Sequence, residues 1–385
     1  MSSLSGTLAL TRLALRRDRL RLPAYVLGLA VLWAGMLAAE GAQSHQALVE
    51  ETEIFVRTPA VRIFGVSSGV SVGATVLIRG FVVLAALAAL MSVQAVVRHT
   101  RQSEETGRAE LVRAAVVGRY GALAAALVAT VGADIALAMA LALAGLVTGQ
   151  PAAGSLAAGA SVGAFGVVFA GVAAVTVQLS SSARGAAGLA AAALGLAFMI
   201  SGVGNMLGTA DPSGLRLESA WPAWLSPMGW GQQMRPYGGD HWWPLALSGA
   251  AFVVLVCVAG ALATRRDLGR GILAERRGRG EASAALLSPL GIVWRLQRGA
   301  LLAWAVGMLV FGLVFGAIID DVAGSSSATT DWYARMGGSG VILDAYRASA
   351  IAMARWPSRS MSSRCCCGCA PRRPTADWSR CCRPP

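Results

Sequence analysis

Between two long apolar runs the chain inserts RHTRQSEETGRAELVRAAVVG, Arg98 to Gly118. Arg101 with Glu105, and Glu104 with Arg108, are spaced i,i+4, which lets opposite charges meet on one helix surface. Glu110 adds a third carboxylate, and Leu111, Val112, Ala115 and Val116 supply an apolar side. Gly107, just after Thr106, predicts a break between two short helical pieces. An amphipathic insert of this kind suits docking to a soluble partner by charged contacts. The same pattern also fits a solvated, arginine-biased loop beside a membrane.

Other chemistry-bearing residues are sparse. Asp134 lies near the middle of one apolar run and Arg79 inside another, and charges within such runs are costly and often functional. A proton relay is one reading of the pair. The other has Arg79 reaching outward while Asp134 faces the helix bundle or pairs with it. Cys365, Cys366, Cys367, Cys369, Cys381 and Cys382 crowd the last residues, and Cys366 to Cys369 is a C-x-x-C. A metal site is not expected there, because the cysteines are adjacent rather than spaced and no His accompanies them. His45, His99 and His241 fall on different loops, and no nucleophile has a paired base, so enzymatic chemistry is not expected. No Lys occurs in the chain: all 33 basic side chains are Arg. That excludes a P-loop of the usual type, whose Lys reaches the nucleotide phosphates.

Composition decides what must hold these residues. A chain of 385 residues that is 55% hydrophobic and 14% charged, with mean hydropathy +0.59, has more apolar surface than one soluble core can hide. The expected class is an all-α membrane protein, a polytopic helical bundle. The net charge of +13 is spread between apolar spans rather than gathered on one face, so nucleic acid is not an expected partner. Residues 1–21 read as an interfacial amphipathic helix, with Arg12, Arg16 and Arg19 on one side and Leu10, Leu13 and Ala14 on the other. Residues 22–263 hold six spans of roughly the 20 residues a bilayer needs: about Leu22–Ala39, Ala74–Val97, Tyr120–Val147, Ala157–Leu179, Gly185–Leu207 and Pro244–Ala263. Gly159 and Gly163 are in the small-xxx-small spacing of close helix packing. The polar insert 98–118 joins spans 2 and 3. Segment 208–241 joins spans 5 and 6, and its Trp221, Trp224, Trp230, Tyr237, Trp242 and Trp243 resemble an interfacial aromatic belt. Its Pro and Gly residues predict short helices dipping into the membrane edge. Arginine bias puts the N-terminal lead, Arg98–Arg119, Arg184 and Arg265–Arg298 on one side, expected to be cytoplasmic, and the acid-bearing loops opposite.

The chain then begins again. Residues 264–298 read as a cytoplasmic arginine-rich linker and a second interfacial lead; Leu287 to Ile319 repeats the pattern of the N-terminal lead and first span, so 299–350 reads as the start of a second membrane half. Residues 351–385 change abruptly in composition. GC-rich codons for this tail, read one base earlier, can spell a second EET string where the repeat demands it. A shifted reading frame and a disordered tail are therefore the expectation, and the chain would then be a truncated copy of a longer one.

Taken together, EETGRAELVRA (Glu104 to Ala114), WLSPMGWGQQMRPYGGD (Trp224 to Asp240), RRDLGRGIL (Arg265 to Leu273) and LLSPLGIVWRLQRGALLAW (Leu286 to Trp304) carry a family resemblance. The sequence resembles the permeases of ABC-2 type ATP-binding-cassette exporters, in particular the twelve-span antibiotic exporters of GC-rich bacteria, over about Leu4 to Ala350. The resemblance implies a six-helix half of the kind found in type V exporters, in a bacterial cell membrane. Its partner would be a separate ABC ATP-binding subunit, a homodimer carrying ATP and Mg, with no cofactor in this chain. Its cargo would be a hydrophobic small molecule. A coupling helix would lie between spans 2 and 3, with Arg101, Glu104, Glu105, Thr106, Gly107, Arg108 and Glu110 at the contact. A re-entrant external segment would carry Trp224, Pro227, Trp230, Gln232, Arg235 and Tyr237. Two alternatives stand beside it: a proton-coupled secondary drug-efflux transporter, and a non-transporting membrane anchor.

Overall fold

A computed structural model describes residues 5–59, 61–107, 118–265, 271–272 and 288–323. The chain falls into two units, Met1–Arg277 and Gly278–Pro385. The first unit is an all-α polytopic bundle. Its described helices are α1 (Thr7–Arg17), α2 (Arg21–Gly41), α3 (His45–Arg57), α4 (Val72–His99), α5 (Arg101–Glu105), α6 (Gly121–Val147), α7 (Ala152–Leu179), α8 (Ala183–Met206), α9 (Pro227–Gln233) and α10 (Pro244–Thr264). Six of these, α2, α4, α6, α7, α8 and α10, are long and apolar enough to cross a membrane. They match the six expected spans, with ends that differ by one to five residues where they differ.

Caps and turns set the boundaries. Ser71, Ser182 and Ser226 accept backbone N–H bonds at the starts of α4, α8 and α9, satisfying donors that a helix start leaves open. Pro227 and Pro244 open α9 and α10, where the missing N–H costs nothing. Gly149, with φ of 81°, turns the chain between α6 and α7.

The middle of the bundle is α7, with 72% of its apolar window buried, whereas α10 has 11% and α2 17%. Those outer helices present their valines and leucines to the surroundings, as lipid-facing spans do. Packing of α7 on α6 depends on small residues. A Cβ on Gly159 would overlap the Ala138 carbonyl, and one on Gly163 would sit 2.8 Å from Ala138 Cβ. The Gly159/Gly163 spacing thus marks a close helix contact.

Two expectations need correction. In α1 the buried stripe is Thr11 and Ala14, followed by Asp18, while Leu13 is 38% exposed. The small and polar side of α1 packs on the bundle and its leucines face outward, which is how an interfacial helix lies against lipid. Segment 40–73, expected above only as one of the acid-bearing loops, contains the amphipathic helix α3, which buries Leu48, Thr52, Phe55 and Val56. A short 3₁₀ turn, Val61–Phe64, follows it. A two-stranded ribbon, β1 (Thr209–Ala210) with β2 (Leu217–Glu218), and a 3₁₀ helix, Trp221–Leu225, complete this end.

In the second unit, α11 runs unbroken from Pro289 to Ala323. The expected second lead and the apolar stretch that follows it are therefore one continuous helix. The cysteine-rich tail lies outside the described residues.

Candidate functional site

At one end of the first unit the arginine-bearing connections converge. Asp18, just after α1 and 3% exposed, takes Arg98 Nη1 at 2.5 Å, and His99 Nε2 lies 2.5 Å from its other oxygen. This ties the lead helix to the end of α4. Arg119 donates to the carbonyls of Ala263 and Thr264 at the last turn of α10, at 3.1 and 2.9 Å, where a cation complements the helix dipole. The N–H of Ile272 donates to the Gln178 carbonyl at 3.1 Å. Of the expected grouping, the described parts in the first unit meet at this end, and the rest of Arg98–Arg119 and Arg265–Arg298 lies outside the described residues or in the second unit.

Within that end, α5 is bolted to the turn between α7 and α8. The Arg101 side chain, 1% exposed, donates from Nε to the Ser180 carbonyl at 2.8 Å and again from Nη2. Its Nη1 meets Glu104 Oε2 at 2.5 Å. Glu105 Oε1 accepts the backbone N–H of Ala183 at 2.6 Å, the first residue of α8. The i,i+4 pair of Arg101 with Glu105 is not formed. Arg101 pairs at i,i+3 with Glu104 instead, because Glu105 is drawn off to the α8 terminus. Thr106 closes α5 with its hydroxyl on the Gln102 carbonyl at 2.9 Å. Gly107 follows with φ of 71°, the left-handed conformation in which helices commonly end. Arg108 and Glu110 lie outside the described residues.

At the opposite end, segments 61–71 and 208–241 are knitted together. Arg62 donates to the Gly208 carbonyl at 2.8 Å, Ser67 Oγ to the Leu215 carbonyl at 2.6 Å, and the Leu217 N–H to the Ser67 carbonyl at 3.1 Å. Arg79 is here, near the start of α4, paired with Glu40 at 3.2 Å and with Glu51. It does not pair with Asp134. Burial pushes the Glu51 carboxyl above its usual range, Arg79 opposes this, and Glu40 adds to it.

Of the six residues expected in an external re-entrant segment, Pro227 opens α9, and Trp224 and Trp230 join through Trp230 Nε1 on the Trp224 carbonyl at 2.6 Å. Trp224 also stacks on Trp243, with ring centroids 4.9 Å apart. Gln232 is buried at the end of α9. Its Oε1 accepts from Ser201 Oγ at 3.0 Å and from Asn205 Nδ2 at 2.9 Å, bridging α9 to α8. Arg235 donates to the Leu217 carbonyl at 3.2 Å. Tyr237 is not a belt residue. Its half-buried ring wedges between the starts of α4 and α7, where a Cβ on Gly73 would come within 2.6 Å of it, and its hydroxyl donates to Ser155 Oγ at 3.2 Å. Burial pushes this phenol up, against the Ser155 bond, and the charge of Asp240 adds to the shift. Arg235, Tyr237 and Asp240 all have φ near 50 to 60°, a strained conformation for such residues. Bonds from the Tyr237 N–H to Asp240 Oδ1, 2.9 Å, and from the His241 N–H to the Met234 carbonyl, 2.7 Å, hold it.

Midway along the bundle Asp134 is fully buried. Ser92 Oγ of α4 lies 2.8 and 3.0 Å from its two oxygens and 3.1 Å from the Ala88 carbonyl. Gly166 of α7 leaves the room the carboxyl occupies. Asp134 therefore faces the bundle and joins α4, α6 and α7, and among the described residues no ion pair includes it. Ser92 was recognisable as one of the few polar residues, with Thr75, Arg79 and Gln94, in a mostly apolar run. The Ser180 carbonyl and Ala183 N–H were not, because every residue carries such groups.

Residues 286–356 match a family model described as the C-terminal domain of the multidrug efflux system permease Rv1217c. The multidrug efflux system permease protein Rv1217c of Mycobacterium tuberculosis is 41% identical to this chain over 361 residues, 91% of the chain and 63% of that protein. The chain thus spans less than two thirds of the length of this relative.

Proposed function

We propose that this chain is the membrane permease of an efflux system. The observation that carries the reading is its 41% identity, over 361 residues, to a protein named a multidrug efflux system permease. The six long apolar helices fit that role. The finer reading is an ABC-2 type permease with a cytoplasmic N-terminus, energised by a separate ABC ATP-binding subunit and exporting hydrophobic small molecules such as antibiotics. Two features support it: a polar helix, α5, stands at the end where the arginine-bearing connections gather, and the chain has no Lys with which to build a P-loop. Docking falls to α5 and the residues after it: Gln102 and Thr106 are exposed, and Arg108 and Glu110 are proposed as further contacts on the charge pattern of the sequence.

A photo-crosslinking residue at Gln102, exposed on α5, tests this in membranes that hold the chain and the ATP-binding subunit. Crosslinks to that subunit are expected, and they should be lost when the crosslinking residue is placed instead at the opposite end, at Ser213. Equal crosslinking from both positions, or from neither, would refute the docking reading.

A further inference from the structure

The short helix α5 carries a cation and an anion one turn apart, and both point at the same turn of the chain. Ser180 is the residue that ends α7, and its carbonyl is one of those a helix leaves open at its C-terminus. Arg101 covers it with two N–H groups. Ala183 begins α8, and its N–H is one of the donors a helix start leaves open. Glu105 covers that. Each charge is matched to the helix dipole it meets, positive at the C-terminus of α7 and negative at the N-terminus of α8. Glu104 braces Arg101 from within α5 at 2.5 Å. The Ser182 hydroxyl takes a second open donor of α8, the Gly185 N–H, at 3.0 Å. Two residues of a five-residue helix are thus spent on capping two membrane helices.

We propose that Arg101 and Glu105 are positioning residues that clamp α5 to the α7–α8 turn, so that this turn receives the displacement a docked partner imposes on α5. The inference rests on the reading of α5 as a docking element. Without the clamp, a push on α5 would reach the bundle chiefly along the chain on either side of it, through α4 before it and the segment leading to α6 after it. With it, the push reaches the two ends Ser180 and Ala183 together. One of them belongs to α7, the most buried helix, and the other to α8, whose apolar window is 28% buried. The less enclosed α8 is the helix free to move against the fixed one. The two faces of α5 then have separate roles: Arg101 and Glu105 point inward to the turn, and Gln102 points outward.

The test compares Glu105→Ala, Glu105→Gln and Gln102→Ala in the full chain. First, hydrogen exchange of the isolated chain reads the clamp without any partner. Glu105→Ala should speed exchange at Ala183 and its neighbours, and Glu105→Gln, whose amide oxygen still accepts, should restore much of the protection. Unchanged exchange in Glu105→Ala overturns the clamp outright. Second, binding of the ATP-binding subunit and substrate-stimulated ATP turnover are measured. Glu105→Ala should bind the subunit as the unsubstituted chain does, while stimulation falls roughly fivefold or more, the low end of coupling between sites. Gln102→Ala should weaken binding instead. If Glu105→Ala weakens binding as Gln102→Ala does, Glu105 is a docking contact. The clamp inference then fails while the docking reading stands. Unchanged binding with unchanged stimulation also sinks the clamp and leaves docking intact. If the unsubstituted chain binds no ATP-binding subunit, the docking reading falls and takes this inference with it.

Discussion

The carboxyl of Asp134 is the residue most able to separate two ways of driving transport, and replacing it with Asn is the informative change. Asp134 is fully enclosed, with Ser92 Oγ at 2.8 and 3.0 Å and no ion pair among the described residues. An Asn has the same shape, and its amide can donate to Ser92 Oγ, leaving the hydroxyl to donate to the Ala88 carbonyl 3.1 Å away. Asp134→Asn should therefore cost less than about 1 kcal/mol, since bonds of this kind between membrane helices contribute roughly 0.6 kcal/mol on average. Ser92→Ala keeps the buried carboxyl and removes its partner, so it should cost about 1–3 kcal/mol, the penalty for an unsatisfied buried polar group. Gly166→Ala should cost a similar amount, about 1–3 kcal/mol for overpacking, because the new methyl would overlap the carboxyl. The assay is reversible denaturation of the purified chain in mixed micelles, with a double-mutant cycle between positions 92 and 134. Transport with Asp134→Asn should persist if this carboxyl is a tie between helices. A cycle with no coupling would refute the hydrogen bond. An Asn variant that folds normally yet abolishes transport would show that a proton or a charge at this position is used, and the proton-coupled reading would replace the one proposed.

Three further outcomes are expected. Gly159→Leu should separate α6 from α7 and destabilise the bundle by at least about 1–3 kcal/mol, because the obstacle is the Ala138 backbone rather than a flexible side chain; a variant with unchanged melting temperature contradicts the close packing. Single Cys probes at Glu50 and Ser213 should react with an impermeant reagent from outside intact cells, and one at Ser103 only after lysis, with labelling of Ser103 from outside reversing the orientation. Burial raises the folded-state carboxyl of Glu51, so its contribution to stability is fully present below the unfolded pKa and falls as pH rises through the raised folded value. Glu51→Gln should flatten that fall without loosening Arg79, which keeps Glu40 at 3.2 Å; a steeper fall in the variant would contradict the sign.

Much of the architecture was readable from the sequence because apolar length and arginine bias are strong signals in a chain that must satisfy lipid. The six spans follow from such patterns, and the contact at Gly159 and Gly163 from its small-xxx-small spacing. The helix α3 was harder, since its apolar face, Leu48, Phe55 and Val56, is short and broken by acids. The sites were read less well. Charge spacing gave Arg101 with Glu105, yet the two diverge to opposite sides of one turn, because the helix termini brought beside them by tertiary packing are stronger partners than each other. Tyr237 was grouped with the tryptophans by residue type, but the glycines that admit its ring, such as Gly73 and Gly154, stand far away in sequence. Gln232 carries no periodicity at all, and only the fold brings Ser201 and Asn205 to it.

We propose above that ATP hydrolysis on a partner subunit drives efflux through this chain. Inverted membrane vesicles containing the chain and the ATP-binding subunit can be loaded from outside with a fluorescent hydrophobic drug, and uptake followed with and without ATP. Uptake that requires ATP and survives collapse of the proton gradient by an uncoupler is the expected result. Uptake driven by an imposed pH gradient without nucleotide, and abolished by the uncoupler, would contradict it.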